Sequence, residues 1–182
     1  MKKMRFEKYW KNELINTANY ILKLYTSKVN NKKVFILEKK IMLCLLHIRQ
    51  HKEYYFNKRR MHPDAIKLTY YPIEDKKADE YDIGRRYKLF GGNKEEIKLH
   101  DLCNYFIHIN INSYFVPAYD RIYGTFFSND ENKNIKLFYI NLVVFAEIFL
   151  SLANNEEAGI NINFTENGFI EKIEHTNKWA EK

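Results

Sequence analysis

Between Arg5 and Thr26 the apolar residues Phe6, Trp10, Leu14, Ala18, Ile21, Leu22 and Tyr25 recur at steps of three and four, with polar residues filling the gaps. That period predicts an amphipathic helix with one apolar stripe. Asn30-Asn31 marks a break, and Val34 to Glu53 predicts a second helix. Its middle, IMLCLL, is apolar nearly all round, so it is expected to be covered on more than one side. Two helices joined by a short break favour an antiparallel pair. From Tyr54 to Asn93 the periodicity is lost. So long a stretch without structure fits poorly in a compact domain. Short helical or strand pieces are expected there, one of them opening on Pro63 as a first-turn proline.

Asn93 is read as the N-cap of a further helix, with Glu95 and Glu96 near its positive end and Leu99–Ile109 on its body. Beyond Ile109 the pattern changes. SYFVPAY, RIYGTFF and NIKLFYI are rich in β-branched and aromatic residues, and Pro117, Gly124 and the polar cluster SNDENKN punctuate them. They predict strands and turns. Asn141 to Asn154 returns to helix. Gly159–Phe164 and Gly168–Glu174 predict a hairpin whose turn is Glu166-Asn167-Gly168, because Asn-Gly suits a type I′ turn. The order of elements predicts a single α+β domain over residues 1–182. An N-terminal helical pair and a third helix would pack with an antiparallel sheet from the C-terminal half.

Composition supports a packed core: 46% of the 182 residues are hydrophobic, mean hydropathy is −0.54, and 14 Tyr and 13 Phe supply rings. Cys44 and Cys103 both fall in apolar helical patterns, which suggests a reducing compartment rather than a disulfide scaffold. The longest apolar run, LVVFAEIFLSLA, is too short to span a bilayer, and the charged N-terminus is not followed by the apolar stretch of a signal peptide. A cytoplasmic protein without a membrane partner is expected. The net charge of +7 is unevenly spread: residues 1–60 carry +12 and residues 61–182 carry −5. A basic third against a mildly acidic remainder points to RNA or to an acidic protein as partner. Lysine-rich coding bias would produce scattered lysines as well.

Candidate chemistry is sparse. On a helical wheel Leu99, Leu102, Cys103, Phe106, Ile107 and Ile109 share one arc, while His100, Asn104 and His108 follow one another at intervals of four on the other flank. Such a flank is also what the solvated side of any packed helix looks like. Cys44, His47 and His51 share a flank of the second helix at spacings that zinc would accept, with His62, His100 or Cys103 as a fourth ligand. No CxxC or HExxH accompanies them, and a core cysteine beside two boundary histidines explains the pattern without metal. Neither metal nor cofactor is expected. Lys58, Arg59, Arg60, Arg85, Arg86 and Lys88 alternate with tyrosines that include Tyr87, a mixture suited to single-stranded RNA or to a protein interface. Neither GxGxxG, GxxxxGK[ST] nor GxSxG occurs, so nucleotide cradles and hydrolase elbows have no support.

The hexapeptide CNYFIH (103–108) resembles the signature of HEPN domains, an Arg followed by Asn, Asp or His, three further residues, and His. The family consists of compact helical proteins that commonly dimerise, many of them metal-independent RNases of bacterial defence and toxin–antitoxin systems. Asn104 and His108 stand at its two later positions, and Cys103 stands at the position of the Arg. The resemblance implies an RNA-binding homodimer that cuts RNA through His108 and Asn104. Metal-free cleavage needs a base, an acid and a cation near the phosphate. His100 is the candidate partner of His108. Arg85 and Arg86, just before the helix, are the candidate cations if they fold back onto it. The alternative is a non-enzymatic interaction or inhibitor protein that binds an acidic protein.

Overall fold

The structure is a computed structural model that describes residues 3–50, 66–115, 121–154, 158–164 and 170–177, with side chains within 8–50, 66–109 and 121–154. Its first two helices are α1 (Lys3–Thr26) and α2 (Asn31–Gln50). Asn30 caps α2: its side-chain oxygen accepts from the Lys33 N–H at 3.0 Å. The helices run antiparallel. Trp10 stacks on His47 at 3.8 Å, Lys40 pairs with Glu13 at 2.8 Å, and Tyr20 donates to the Lys33 carbonyl at 3.3 Å. Leu14, Ala18, Ile21 and Tyr25 form the buried stripe of α1, and Leu37, Ile41, Cys44, Leu45 and Ile48 that of α2.

The aperiodic stretch holds β1 (Ile66–Pro72) and the single turn α3 (Ile83–Arg86). Residues 51–65, and with them Pro63, lie outside the described residues. Asn93–Ile97, expected to open a helix, is instead a strand, β2, paired antiparallel with β1 from Ile66↔Ile97 to Tyr70↔Asn93. Alternation explains the difference. Ile97 enters the core, Glu95 pairs with Lys136, and Glu96 reaches Lys67 at 3.7 Å, so the two acids serve neighbouring strands. The helix proper, α4, is Leu99–Ile107.

The remaining elements are β3 (Ile109–Phe115), β4 (Gly124–Asn129), β5 (Lys136–Asn141), α5 (Leu142–Asn154), β6 (Ala158–Phe164) and β7 (Ile170–Asn177). Strands β1 to β5 form an antiparallel sheet in the order β2-β1-β5-β4-β3, and β6 and β7 pair as a separate hairpin. Its turn, 165–169, lies outside the described residues. The fold is α+β, with the N-terminal helical pair in place. Three strands of the larger sheet, β3 to β5, come from the stretch beyond Ile109 where strands were expected; β1 and β2 precede it, with β1 inserted beside the central β5.

Strand alternation gives the sheet two faces. Ile66, Leu68, Tyr70, Phe127, Phe138 and Ile140 meet α1, α2, α4 and α5 in the main core. Tyr71, Ile73, Leu137 and Phe126 look the other way, onto Ile83, Tyr87 and Leu89 of the segment that joins β1 to β2. That segment is anchored by the Lys88 N–H on the Pro72 carbonyl at 3.0 Å and the Glu74 N–H on the Arg86 carbonyl at 2.8 Å. Tyr25 ties the helices to the sheet: its hydroxyl donates to the Tyr123 carbonyl at 2.8 Å and touches Asn141 Oδ1, which accepts from the Val143 N–H at 2.9 Å. Among the described residues no helix is long and apolar enough to cross a membrane.

Candidate functional site

Helix α4 presents Leu99, Leu102, Cys103 and Phe106 to the core, where Phe106 meets Phe127 at 4.6 Å and Phe145 edge-on at 5.2 Å. Its apolar periodicity therefore fixes the opposite flank. There the Asn104 Nδ2 lies 3.1 Å from His100 Nε2. In this contact the amide nitrogen is the donor and Nε2 the acceptor. His100 Nδ1 and Asn104 Oδ1 are both buried with no partner. His108 stands apart from this pair. It is the residue that ends the helix, with its N–H on the Asn104 carbonyl at 3.0 Å and its side chain exposed. The structure joins His100 to Asn104 and leaves the His108 ring outside their contact.

Cys103, at the position of the family's arginine, is fully buried. Burial pushes its thiol up to about 12, so it stays neutral and turned into the core. A phosphate on the polar flank would meet no cation from this position. Nor do Arg85 and Arg86 fold back onto α4 within one chain. Both belong to the segment packed on the other face of the sheet. Arg86 is buried, its guanidinium donating to the carbonyls of Ala78 at 2.5 Å and Lys76 at 3.4 Å and to Asn134 Oδ1 at 2.7 Å. Arg85 is exposed and pairs with Asp75 at 3.6 Å. The composite site of two histidines, an asparagine and two arginines is thus divided by the sheet.

Of the expected RNA contacts, Tyr87 is a core residue rather than a stacking platform: it is 1% exposed, with its hydroxyl on the Lys133 carbonyl at 2.5 Å. Desolvation raises its pKa. Lys88 is exposed. Lys58, Arg59 and Arg60 lie outside the described residues, as do His51 and His62. Cys44 is buried with its sulfur on Thr17 Oγ1 at 3.4 Å, and His47 lies flat on Trp10. Among the described residues no group of three His, Cys, Asp or Glu side chains could hold a metal ion.

The outward face of α1 carries a set of polar and basic side chains that reading the core stripe alone passes over. Lys8, Tyr9, Lys11, Asn12, Asn16, Asn19 and Lys23 are exposed, and no exposed position from Lys8 to Thr26 is acidic. At 100° per residue all but Lys11 fall within about 100°, in one line down the helix. Glu13, the acid among them, is turned aside to Lys40. The signal lies in the wheel, opposite Leu14, Ala18 and Ile21. No protein-family model, curated protein or solved structure matches the chain.

Proposed function

We propose that the protein is an RNA-binding domain that holds single-stranded RNA along the outward face of α1 and does not cut it. The observation that carries this reading is the composition of that face: Lys8, Lys23, three asparagines and Tyr9, which is 73% exposed, in one line with Lys11 beside it and no exposed acidic residue. Ammonium groups neutralise phosphates, amides reach base edges, and an exposed ring offers a stacking surface. From Lys8 to Lys23 the line runs ~22 Å at 1.5 Å per residue, enough for several nucleotides. Binding is favoured over cleavage because none of the residues read as the cation of the HEPN-like helix supplies it within the chain: Cys103 is buried, and Arg85 and Arg86 belong to the segment on the other face of the sheet, where Arg86 is bound by neutral oxygens.

The test is fluorescence anisotropy with a labelled oligouridylate over a range of salt. Each lost phosphate contact flattens a single-strand salt slope by ~0.7. The triple variant Lys8→Glu, Lys11→Glu, Lys23→Glu should therefore flatten the slope by about 2, and the parent should leave the RNA intact without metal. Affinity insensitive to salt or to the triple variant would refute the assignment. Cleavage abolished by His108→Ala would restore the catalytic reading.

A further inference from the structure

Helix α2 breaks the pattern of its neighbour. Its outward face exposes Phe35 (65%), Leu43 (42%) and Leu46 (37%), alongside Lys32 and Lys39. On the wheel these five residues fall within about 80°, opposite the buried Leu37, Cys44 and Ile48. No exposed position of α2 is acidic.

We infer that this face docks an acidic amphipathic helix contributed by another protein. The assignment goes beyond RNA binding and does not depend on it, since it concerns a different helix with different chemistry. Leucines offer bases neither a ring to stack on nor a group to bond, so Leu43 and Leu46 distinguish this face from that of α1. Apolar side chains aligned along an exposed helix suit the ridges of a second helix, which read as anchors at spacings of three, four and seven. From Phe35 to Leu46 the stripe is ~16 Å long, about three turns of a partner helix.

Charge selects the occupant. A second copy docking by the same face would bring Lys32 and Lys39 against the same lysines with no exposed carboxylate between them, and like charges across an interface oppose association. A lipid surface suits an apolar face unbroken by charge, whereas Lys39 lies in the middle of this one. Glutamates or aspartates flanking an apolar stripe would meet both lysines while the stripe covers Phe35 and the leucines. Those three side chains are the expected anchors, and the lysines set orientation and partner choice.

The experiment uses the full chain and a designed, labelled helical peptide with leucines three and four apart flanked by glutamates, compared with the same peptide carrying lysines instead. The acidic peptide should bind. Phe35→Asp and Leu46→Asp should each weaken it about tenfold or more, the loss expected for a buried anchor. Lys39→Glu should weaken the acidic peptide and strengthen the basic one. All three positions are exposed, so the variants should keep the helical circular dichroism and melting temperature of the parent. No binding, equal binding of the two peptides, or indifference to Phe35→Asp would overturn the inference. A parent dimer that Leu46→Asp turns into monomer would identify a second copy as the occupant. Sedimentation with phosphatidylserine vesicles, lost in Phe35→Asp, would assign the face to lipid, and either result replaces the proposed partner.

Discussion

Arg86 and Arg85 are adjacent in sequence and differ in almost every physical respect. The Arg86 guanidinium is held by oxygens of Lys76, Ala78 and Asn134, which pin the β1–β2 segment to the β4–β5 turn. Replacing it by Leu would leave buried carbonyls without donors, and Arg86→Leu should destabilise the fold by about 3 kcal/mol in urea unfolding. Arg85 makes one ion pair with its side chain 72% exposed, so Arg85→Ala should change stability by less than about 0.5 kcal/mol. If both substitutions proved equally mild, Arg86 would not be the clamp described. The sequence shows two neighbouring basic residues and nothing that separates them. Which one is buried depends on a turn around residue 134, nearly fifty positions away. The His100–Asn104 pair was legible, because a four-residue interval on a helix with a clear core side leaves one arrangement.

At the scale of elements, α5 follows β5 without a loop, and Asn141 makes the change of direction possible by accepting from the Val143 N–H while touching the Tyr25 hydroxyl. Asn141→Ala should cost about 1–2 kcal/mol, read as a lower urea midpoint with an unchanged slope. Asn141→Asp should retain most of that stability, and its failure to do so would assign the loss to Tyr25 rather than to the cap. Helix α1 and the C-terminal strands were readable from a local period, and α2 and α5 from their apolar runs, although α2, expected to be covered on more than one side, leaves Phe35, Leu43 and Leu46 exposed. The strand β2 was not, because Asn-Lys-Glu-Glu satisfies the rules for a helix start and only its partners, Lys67 and Lys136, make it a strand. β1 does alternate, with Ile66, Leu68 and Tyr70 inward and Lys67, Thr69 and Tyr71 outward, but its neighbours along the chain mask so short a signal.

Across the whole molecule, burial couples stability to alkaline pH. Desolvation pushes Cys44 up to about 11 and Cys103 up to about 12, from an ordinary 9.0, and raises Tyr25 as well. An unfolded chain gives up these protons first, so above about pH 9 it binds fewer protons than the native state and unfolding is favoured. The contribution is complete below the ordinary thiol value and fades as pH rises toward the folded values. The melting temperature should fall between about pH 9 and 11, and Cys103→Ala should reduce the slope of that fall; an identical slope would exclude the thiol as a source. Tyr25 carries a further consequence. Its hydroxyl bonds a residue 98 positions away, and the stripe of α1 rests largely on α5. On the ribosome α1 is made well before α5, so much of its apolar side stays uncovered until α5 has emerged. Folding is expected to be slow and late, with α1 as the segment that chaperones meet during synthesis.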